Sequence, residues 1–328
     1  DLGRINKALY YFKKSENFKK NDNSNLWNLS LCFLTLGNLD KGFSLYEYRW
    51  FQKSNKPIKK FENIKAPLST EEIINKNILI SDEQGLGDTI QFSRFVIELL
   101  QFTKKITFVV NSKLVNLLSN LNKNIVVIEY KDLKTSNFDY HLSLCSLPLF
   151  LRIKDISDIN YYPLNFNNKN KISFEKNDIN IGLSWSGNPN FPLDEYRSIS
   201  FKNFKEILNI KKINFFKLSQ NVRNEEFLDY HSFSNLFDFG DKSLFEISEV
   251  MKELDLVISS DTSIIHLAGI LNIKSILLLN YNSDWRWFED KKKTIWYPSV
   301  EIIKQKTFNS WDNVFYELKK RIEKFTYK

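Results

Sequence analysis

The sequence predicts an α/β protein with two successive Rossmann-like domains behind a short α-helical repeat segment. Three observations carry this. From Asn77 onward, apolar runs of strand length alternate with longer runs of helical periodicity, the βαβ order of parallel sheets. The alternation stops in a polar, Asn- and Lys-rich stretch at 165–178 and then starts afresh. Ahead of both, Leu2-Gly3-Arg4-Ile5-Asn6-Lys7-Ala8-Leu9 is echoed 34 residues on by Leu36-Gly37-Asn38-Leu39-Asp40-Lys41-Gly42-Phe43. That spacing is the period of tetratricopeptide helix pairs. The expected domains are 1–60 (helical, a partial array), 77–165 and 178–328.

In the first segment, Trp27, Leu29, Leu31, Cys32, Leu34 and Leu36 suit a helix covered on two sides. Such arrays usually bind proteins, so a protein partner through these helices is one expectation. A helical buttress for the next domain is the other. About three repeats make a stable array, and the chain opens on Asp1. We therefore expect more repeats before it, with any leader segment out of view. Residues 52–76, with Pro57 and Pro67, read as a linker.

The first domain should contain strands at 77–81, 106–110, 125–128 and 140–144, with helices at 90–100, 112–121 and 147–153. The second should contain strands at 179–185, 213–218, 254–259 and 275–279. Its helices are expected at 201–208, 244–254 and 262–271. An amphipathic helix at 311–325, with Val314, Leu318, Ile322 and Phe325 on one face, closes the chain. Two such domains on a short linker imply a cleft between them.

Bulk properties narrow the class. Hydrophobic residues make up 42% of 328, ample for proper cores. No apolar run approaches the ~18–20 residues that span a bilayer. Cys32 and Cys145 lie far apart without metal-spaced partners. They read as buried apolar residues in a reducing, cytoplasmic protein. Net charge is +8, from 47 Lys and Arg against 39 Asp and Glu. The excess suits anionic partners and leaves peripheral attachment to the inner face of the cell membrane open. The lysines are scattered among asparagines rather than striped with aromatics, so no nucleic-acid partner is expected.

The chemistry concentrates at two strand ends. In Asp82-Glu83-Gln84-Gly85-Leu86-Gly87-Asp88-Thr89, Gly85 and Gly87 allow a close backbone approach by a ligand. Asp88 falls at a helix start beyond a strand, where open α/β sheets place their ligands. It is a functional carboxylate or only a helix cap. The stretch is neither a dinucleotide fingerprint nor a P-loop, since Ile90 replaces the third glycine and no Gly-Lys-Ser/Thr follows.

In the second domain, Ile181-Gly182-Leu183-Ser184-Trp185-Ser186-Gly187-Asn188-Pro189 repeats the design, with Gly187 again opening the backbone. Arg197 could hold a phosphate bidentately, or pair with Asp194 or Glu195 at the surface. Ser259-Ser260-Asp261-Thr262-Ser263 runs into a small-residue helix whose free amides would seat a pyrophosphate. Asp261 would repel phosphate and suits sugar hydroxyls or capping. His266, one turn in, is a candidate contact, although an isolated histidine there is more often core. Gln220 ends a strand on the same rim.

These pieces, with Lys217-Leu218-Ser219-Gln220, Asp284-Trp285-Arg286-Trp287 and Trp296-Tyr297-Pro298, occur in the order of a known family. Over about 77–328 the chain resembles the heptosyltransferase-like glycosyltransferases of glycosyltransferase family 9, in a variant with tetratricopeptide repeats in front. The resemblance implies a GT-B fold: an acceptor domain, then a nucleotide-sugar domain, with the last helix returning to the first. It implies inverting transfer without a bound metal or other cofactor. The donor would be a nucleotide-diphosphate sugar, heptose or related, and the acceptor a glycan, lipid-linked or protein hydroxyl, as in lipopolysaccharide biosynthesis. Asp88 matches the general base. Ser184, Ser186, Arg197, Gln220, Asp261, Thr262, Ser263 and His266 would hold the donor. The sequence agrees about the metal, having no Asp-x-Asp and no His/Cys cluster. Asp194-Glu195 ahead of Arg197 departs from the basic loop expected, and is compatible with a donor other than ADP-heptose. Two other classes compete: a non-catalytic repeat-bearing scaffold that binds nucleotide-sugar or glycan, and a nicotinamide-linked oxidoreductase, which lacks its glycine fingerprint and ribose carboxylate.

Overall fold

The computed structural model describes residues 4–52, 61, 63–134, 137–166, 178–223, 226–289 and 294–326. Leu2 and Gly3 of the repeat, residues 53–60 and 62 of the first linker and most of the 165–178 stretch lie outside them. The chain divides into two compact units, one of Asp1–Tyr162 with Asp284–Lys291, the other of Pro163–Ser283 with Lys292–Lys328.

The first unit opens with α1 (Ile5–Phe18), α2 (Asn23–Thr35) and α3 (Leu39–Tyr46). Asp22 caps α2 by accepting from the Ser24 amide at 3.1 Å, and Asn38 caps α3 by accepting from the Lys41 amide at 3.2 Å. Between them Gly37 sits at φ +79°, where a side chain would be strained, and the Asn38 amide turns back to the Phe33 carbonyl at 2.9 Å. Leu26, Leu29 and Phe33 of α2 form a small core with Leu9, Phe12, Leu45 and Tyr48. After α3, residues Glu47–Phe51 tighten into a 3-10 turn that carries Arg49 inward.

Four parallel strands then form a sheet in the order β3-β2-β1-β4, with β1 Ile78–Ser81, β2 Ile106–Val110, β3 Ile125–Glu129 and β4 Tyr140–Ser143. Every residue of β1 is buried, which explains its uninterrupted apolar run. Helices α4 (Leu86–Leu99), α5 (Ser112–Leu118) and the short α6 (Leu147–Phe150) connect and follow the strands.

The second unit carries six parallel strands in the order β10-β9-β8-β5-β6-β7. They are β5 (Ile179–Ser184), β6 (Ile213–Lys217), β7 (Leu236–Phe237), β8 (Leu256–Ser260), β9 (Ser275–Leu279) and β10 (Val300–Lys304). Its helices are α7 (Asp194–Arg197), α8 (Lys205–Leu208), α9 (Phe227–His231), α10 (Leu244–Met251), α11 (Ser263–Ile270) and α12 (Asp312–Thr326). The sheet edges β7 and β10 are additions to the expected strands.

Of the two expectations for the helical segment, packing against the next domain is the one seen, since buried Arg49 pairs with Glu83 in the same unit. Two other points differ from what the expected bounds or the resemblance implied. Residues 284–291, expected in the second domain, belong to the first unit, where Trp285 packs on Phe43 and Tyr46 at ring separations of 6.1 and 5.7 Å. The last helix stays with the second unit: Val314, Leu318 and Ile322 of α12 join the core formed by Ile181, Leu183, Trp185 and Ile258. Cys32 and Cys145 are both buried and unpaired by disulfide.

Candidate active site

In a parallel sheet, the crevice at the C-terminal ends of two strands whose connections run in opposite directions is the natural ligand site. In the first unit that point lies between β1 and β4, and in the second between β5 and β8. Each carries a group of polar residues.

At the first, β1 leads through Glu83, Gln84 and Gly85 into α4. Asp88 lies in the first turn of α4, and its Oδ2 accepts from the Gly85 amide at 2.8 Å. Capping and function, alternatives in the sequence, are thus not exclusive: one oxygen caps the helix. The other, Oδ1, lies 2.5 Å from Nη2 of Arg286, and the Asp88 side chain keeps 21% of its exposure. A Cβ at Gly85 would stand 3.1 Å from Asp88 Oδ2, so glycine here leaves room for the carboxylate. Gly87 follows within the first turn of α4.

Arg286 is buried and also meets Asp284 Oδ1 at 2.8 Å and Gln84 Oε1 at 3.1 Å. Burial opposes its charge, but the carboxylates of Asp284 and Asp88 outweigh that and hold the guanidinium charged well above the usual arginine range. Gln84 takes a left-handed backbone at φ +63°, a conformation costing about 1–2 kcal/mol for a non-glycine residue. Its amide lies between Arg286 and the Tyr46 hydroxyl, the latter at 3.0 Å from Nε2.

Glu83 is gripped by Arg49, whose Nε and Nη2 donate to the two carboxylate oxygens at 2.9 and 2.8 Å. Arg49 also donates to Ser146 Oγ at 2.7 Å, and the Cys145 amide donates to Glu83 Oε1 at 2.8 Å. The Arg49 side chain has no exposure. Nothing in the sequence points to Tyr46, Arg49, Glu83 and Gln84 as holding this loop, and Arg286 enters the sequence reading only within the Asp284-Trp285-Arg286-Trp287 segment. Long-range pairs such as 49 with 83 and 84 with 286 leave no local spacing signal.

At the second, Ser184 ends β5 and Ser259 and Ser260 end β8. Thr262 caps α11, accepting from the Ile264 amide at 3.3 Å. Its hydroxyl lies 3.5 Å from Ser184 Oγ and 3.3 Å from Ser259 Oγ. Asp261 and Ser263 flank it and are half-buried. Expected residues Ser184, Asp261, Thr262 and Ser263 are therefore gathered at one helix start, with Ser259 and Ser260 beside them. Ser260 Oγ is buried without a hydrogen-bond partner.

Other candidates are turned elsewhere. Arg197 Nε pairs with Asp194 at 3.0 Å, and its guanidinium lies over the Phe191 ring at 4.4 Å. The pairing with Asp194 is found, but Asp194 is buried rather than at the surface. Gly187 does not open the backbone: a Cβ there would meet Asp194 at 2.6 Å and Arg197 at 2.7 Å. Ser186 donates to the Asn221 carbonyl, and Gln220 Nε2 to the Lys242 carbonyl at 3.1 Å. His266 is buried against Tyr297, Nδ1 to hydroxyl 3.0 Å, so it sits in the core. Among the described residues, no group of three or more His, Cys, Asp or Glu could hold a metal ion.

Two parallel α/β units, the second with the full six-strand doubly wound order, define a fold of the GT-B glycosyltransferase type. Solved structures share it. The iron-containing dodecameric glycosyltransferase TibC from enterotoxigenic E. coli H10407 superposes with TM-score 0.52 at 11% identity, over 73% of this chain and 66% of that one. A glycosyl transferase of family 9 from Veillonella parvula DSM 2008 gives 0.52 at 13% identity, over 78% and 92%. The E. coli heptosyltransferase WaaC with ADP gives 0.50 at 12%, over 76% and 99%. No family model and no curated protein sequence matches the chain.

Proposed function

We propose that the chain is an inverting glycosyltransferase that moves a sugar from a nucleotide-diphosphate donor to a hydroxyl acceptor, with Asp88 as general base. The observation that carries this reading is the placement of a fixed, partly exposed carboxylate at one sheet's switch point and a hydroxyl-rich helix start at the other's. The solved structures of this fold named above are glycosyltransferases, one of them in complex with ADP, which supports the same reading.

The acceptor oxygen forms its bond to the anomeric carbon while that carbon's bond to the diphosphate oxygen breaks, the electron pair leaving with the diphosphate. The hydroxyl proton passes to Asp88. Asp88 is held at Oδ2 by the Gly85 amide and at Oδ1 by Arg286, so its orientation is set before the acceptor arrives. The amides opening α11, with Thr262 and Ser263, suit the negative charge that develops on the leaving group. Asp261 is suited to sugar hydroxyls. Arg197, held at Nε by Asp194, has Nη donors that suit a phosphate.

The acceptor class we propose is a glycan or lipid-linked glycan of the cell envelope, reached from the cytoplasmic side. A sugar of the heptose type is the first donor to test. No described helix is long and apolar enough to cross a membrane.

The test is a panel of ADP-, GDP-, UDP- and dTDP-sugars, read by thermal shift and by release of the nucleoside diphosphate. One donor should raise the midpoint and be turned over. Binding without turnover of any donor or acceptor would leave a scaffold, and no binding would remove the reading.

A further inference from the structure

Building on that reading, we infer that the N-terminal helical segment is part of the catalytic apparatus: Tyr46 and Arg49 are positioning residues that clamp the loop before Asp88 and, through Gln84, hold Arg286 against it. A repeat segment that only recruits a partner would have no buried polar chain leading into the β1–α4 loop. This one has two.

The first runs from Arg49 to Glu83. A guanidinium with no exposure and a carboxylate side chain 11% exposed form a two-pronged pair, reinforced by Ser146 and the Cys145 amide. It fixes the loop's entry where it leaves β1. The second runs from the Tyr46 hydroxyl through the Gln84 amide to Arg286 Nη2 and on to Asp88 Oδ1. It fixes the exit.

Gln84 is the joint between them. Its positive φ is held against its intrinsic preference because its side chain is engaged on both sides. Arg286 is placed by the same segment, since Trp285 seats its ring among Phe43, Tyr46 and Phe92. The backbone after it is tied down too: the Glu289 amide donates to the Thr35 carbonyl of α2 at 3.1 Å. The helical segment therefore supplies both the socket for the arginine and the grip on the loop.

A carboxylate acting as a base needs its free lone pair aimed at the acceptor oxygen, and misplacement by about 1 Å costs on the order of a hundredfold in rate. Loosening the clamp should lower kcat while leaving donor affinity, which resides in the second unit, alone.

The experiment compares wild type with Tyr46→Phe, Arg286→Lys, Arg286→Met and, as a control on the exposed face of α1, Tyr10→Ser. It reads hydrogen exchange of the amides from 83 to 88 and steady-state kinetics with the donor that the panel selects. We expect faster exchange in Tyr46→Phe and Arg286→Met. Their kcat should fall about tenfold and about a hundredfold, with donor KM within twofold. Arg286→Lys should be intermediate and Tyr10→Ser unchanged. If Arg286→Met does not fold, Tyr46→Phe decides, since it removes a single oxygen. Unchanged exchange in the variants would overturn the clamp. Faster exchange with wild-type kcat would overturn its catalytic role. If the wild type turns over no nucleotide-sugar, the glycosyl-transfer reading fails, and the exchange arm still decides the clamp.

Discussion

At the scale of single residues, the ion pair between Arg49 and Glu83 makes the firmest stability prediction. Removing one partner of a buried pair strands the other charge, at about 3–5 kcal/mol. Arg49→Met should lower unfolding free energy by that amount in denaturant titration, and adding Glu83→Gln should recover part of it. Gln91 predicts the opposite sign. It is fully buried, and neither atom of its side-chain amide has a partner. Gln91→Leu, of similar volume, should raise stability by about 1–3 kcal/mol. The sequence offers Asp88 as a candidate because a carboxylate just after Gly85 and Gly87, beyond a strand end, is a local pattern. It leaves Arg197 open between a phosphate and Asp194 or Glu195, and of the two carboxylates Asp194 is the one Arg197 meets. It could not expose Arg49 or Tyr46, since nothing near them in the chain hints at partners 34 and 38 positions away.

At the scale of elements, most strands and helices were legible because both sheets are parallel and buried strands read as apolar runs. The two missed strands are edges. β7 has only two residues, and β10 is broken by exposed Glu301, which pairs with Arg321 of α12 at 2.8 Å. The helix after β8 carries a requirement the sequence did not announce. A Cβ on Gly269 would fall 2.4 Å from the Tyr297 ring, and Tyr297 is fully buried. Gly269→Ala should therefore destabilise by about 1–3 kcal/mol through overpacking, read as a lower thermal midpoint. It should also disturb the Tyr297 contact with His266. His266 is buried there, with Nδ1 against the Tyr297 hydroxyl at 3.0 Å.

At the scale of the whole molecule, the sequence separated the two α/β units and kept the last helix with the second, where the resemblance implied a return to the first, but it misplaced residues 284–291. That placement follows from the packing of Trp285 on Phe43 and Tyr46 rather than from chain order. If the helical segment completes the first unit, deleting residues 1–52 should uncover Trp285 and leave Glu83 unpaired. The first unit should then lose its cooperative transition in a thermal scan. Stability should also fall in mild acid. Burial lowers the pKa of His141 from 6.5 to about 4, and its Nε2 lies 2.8 Å from Ser81 Oγ. The unfolded chain takes up the proton near pH 6.5 and the folded one near 4. The contribution is thus complete above pH 6.5 and is lost as pH falls from there to 4. His141→Gln should flatten the dependence of the midpoint between pH 7.5 and pH 5. The central claim, that Asp88 removes the acceptor proton, is tested most directly by Asp88→Asn, measuring transfer and donor binding on the same sample. Turnover should vanish with the calorimetric donor affinity nearly intact. A variant that transfers sugar at the wild-type rate would contradict it.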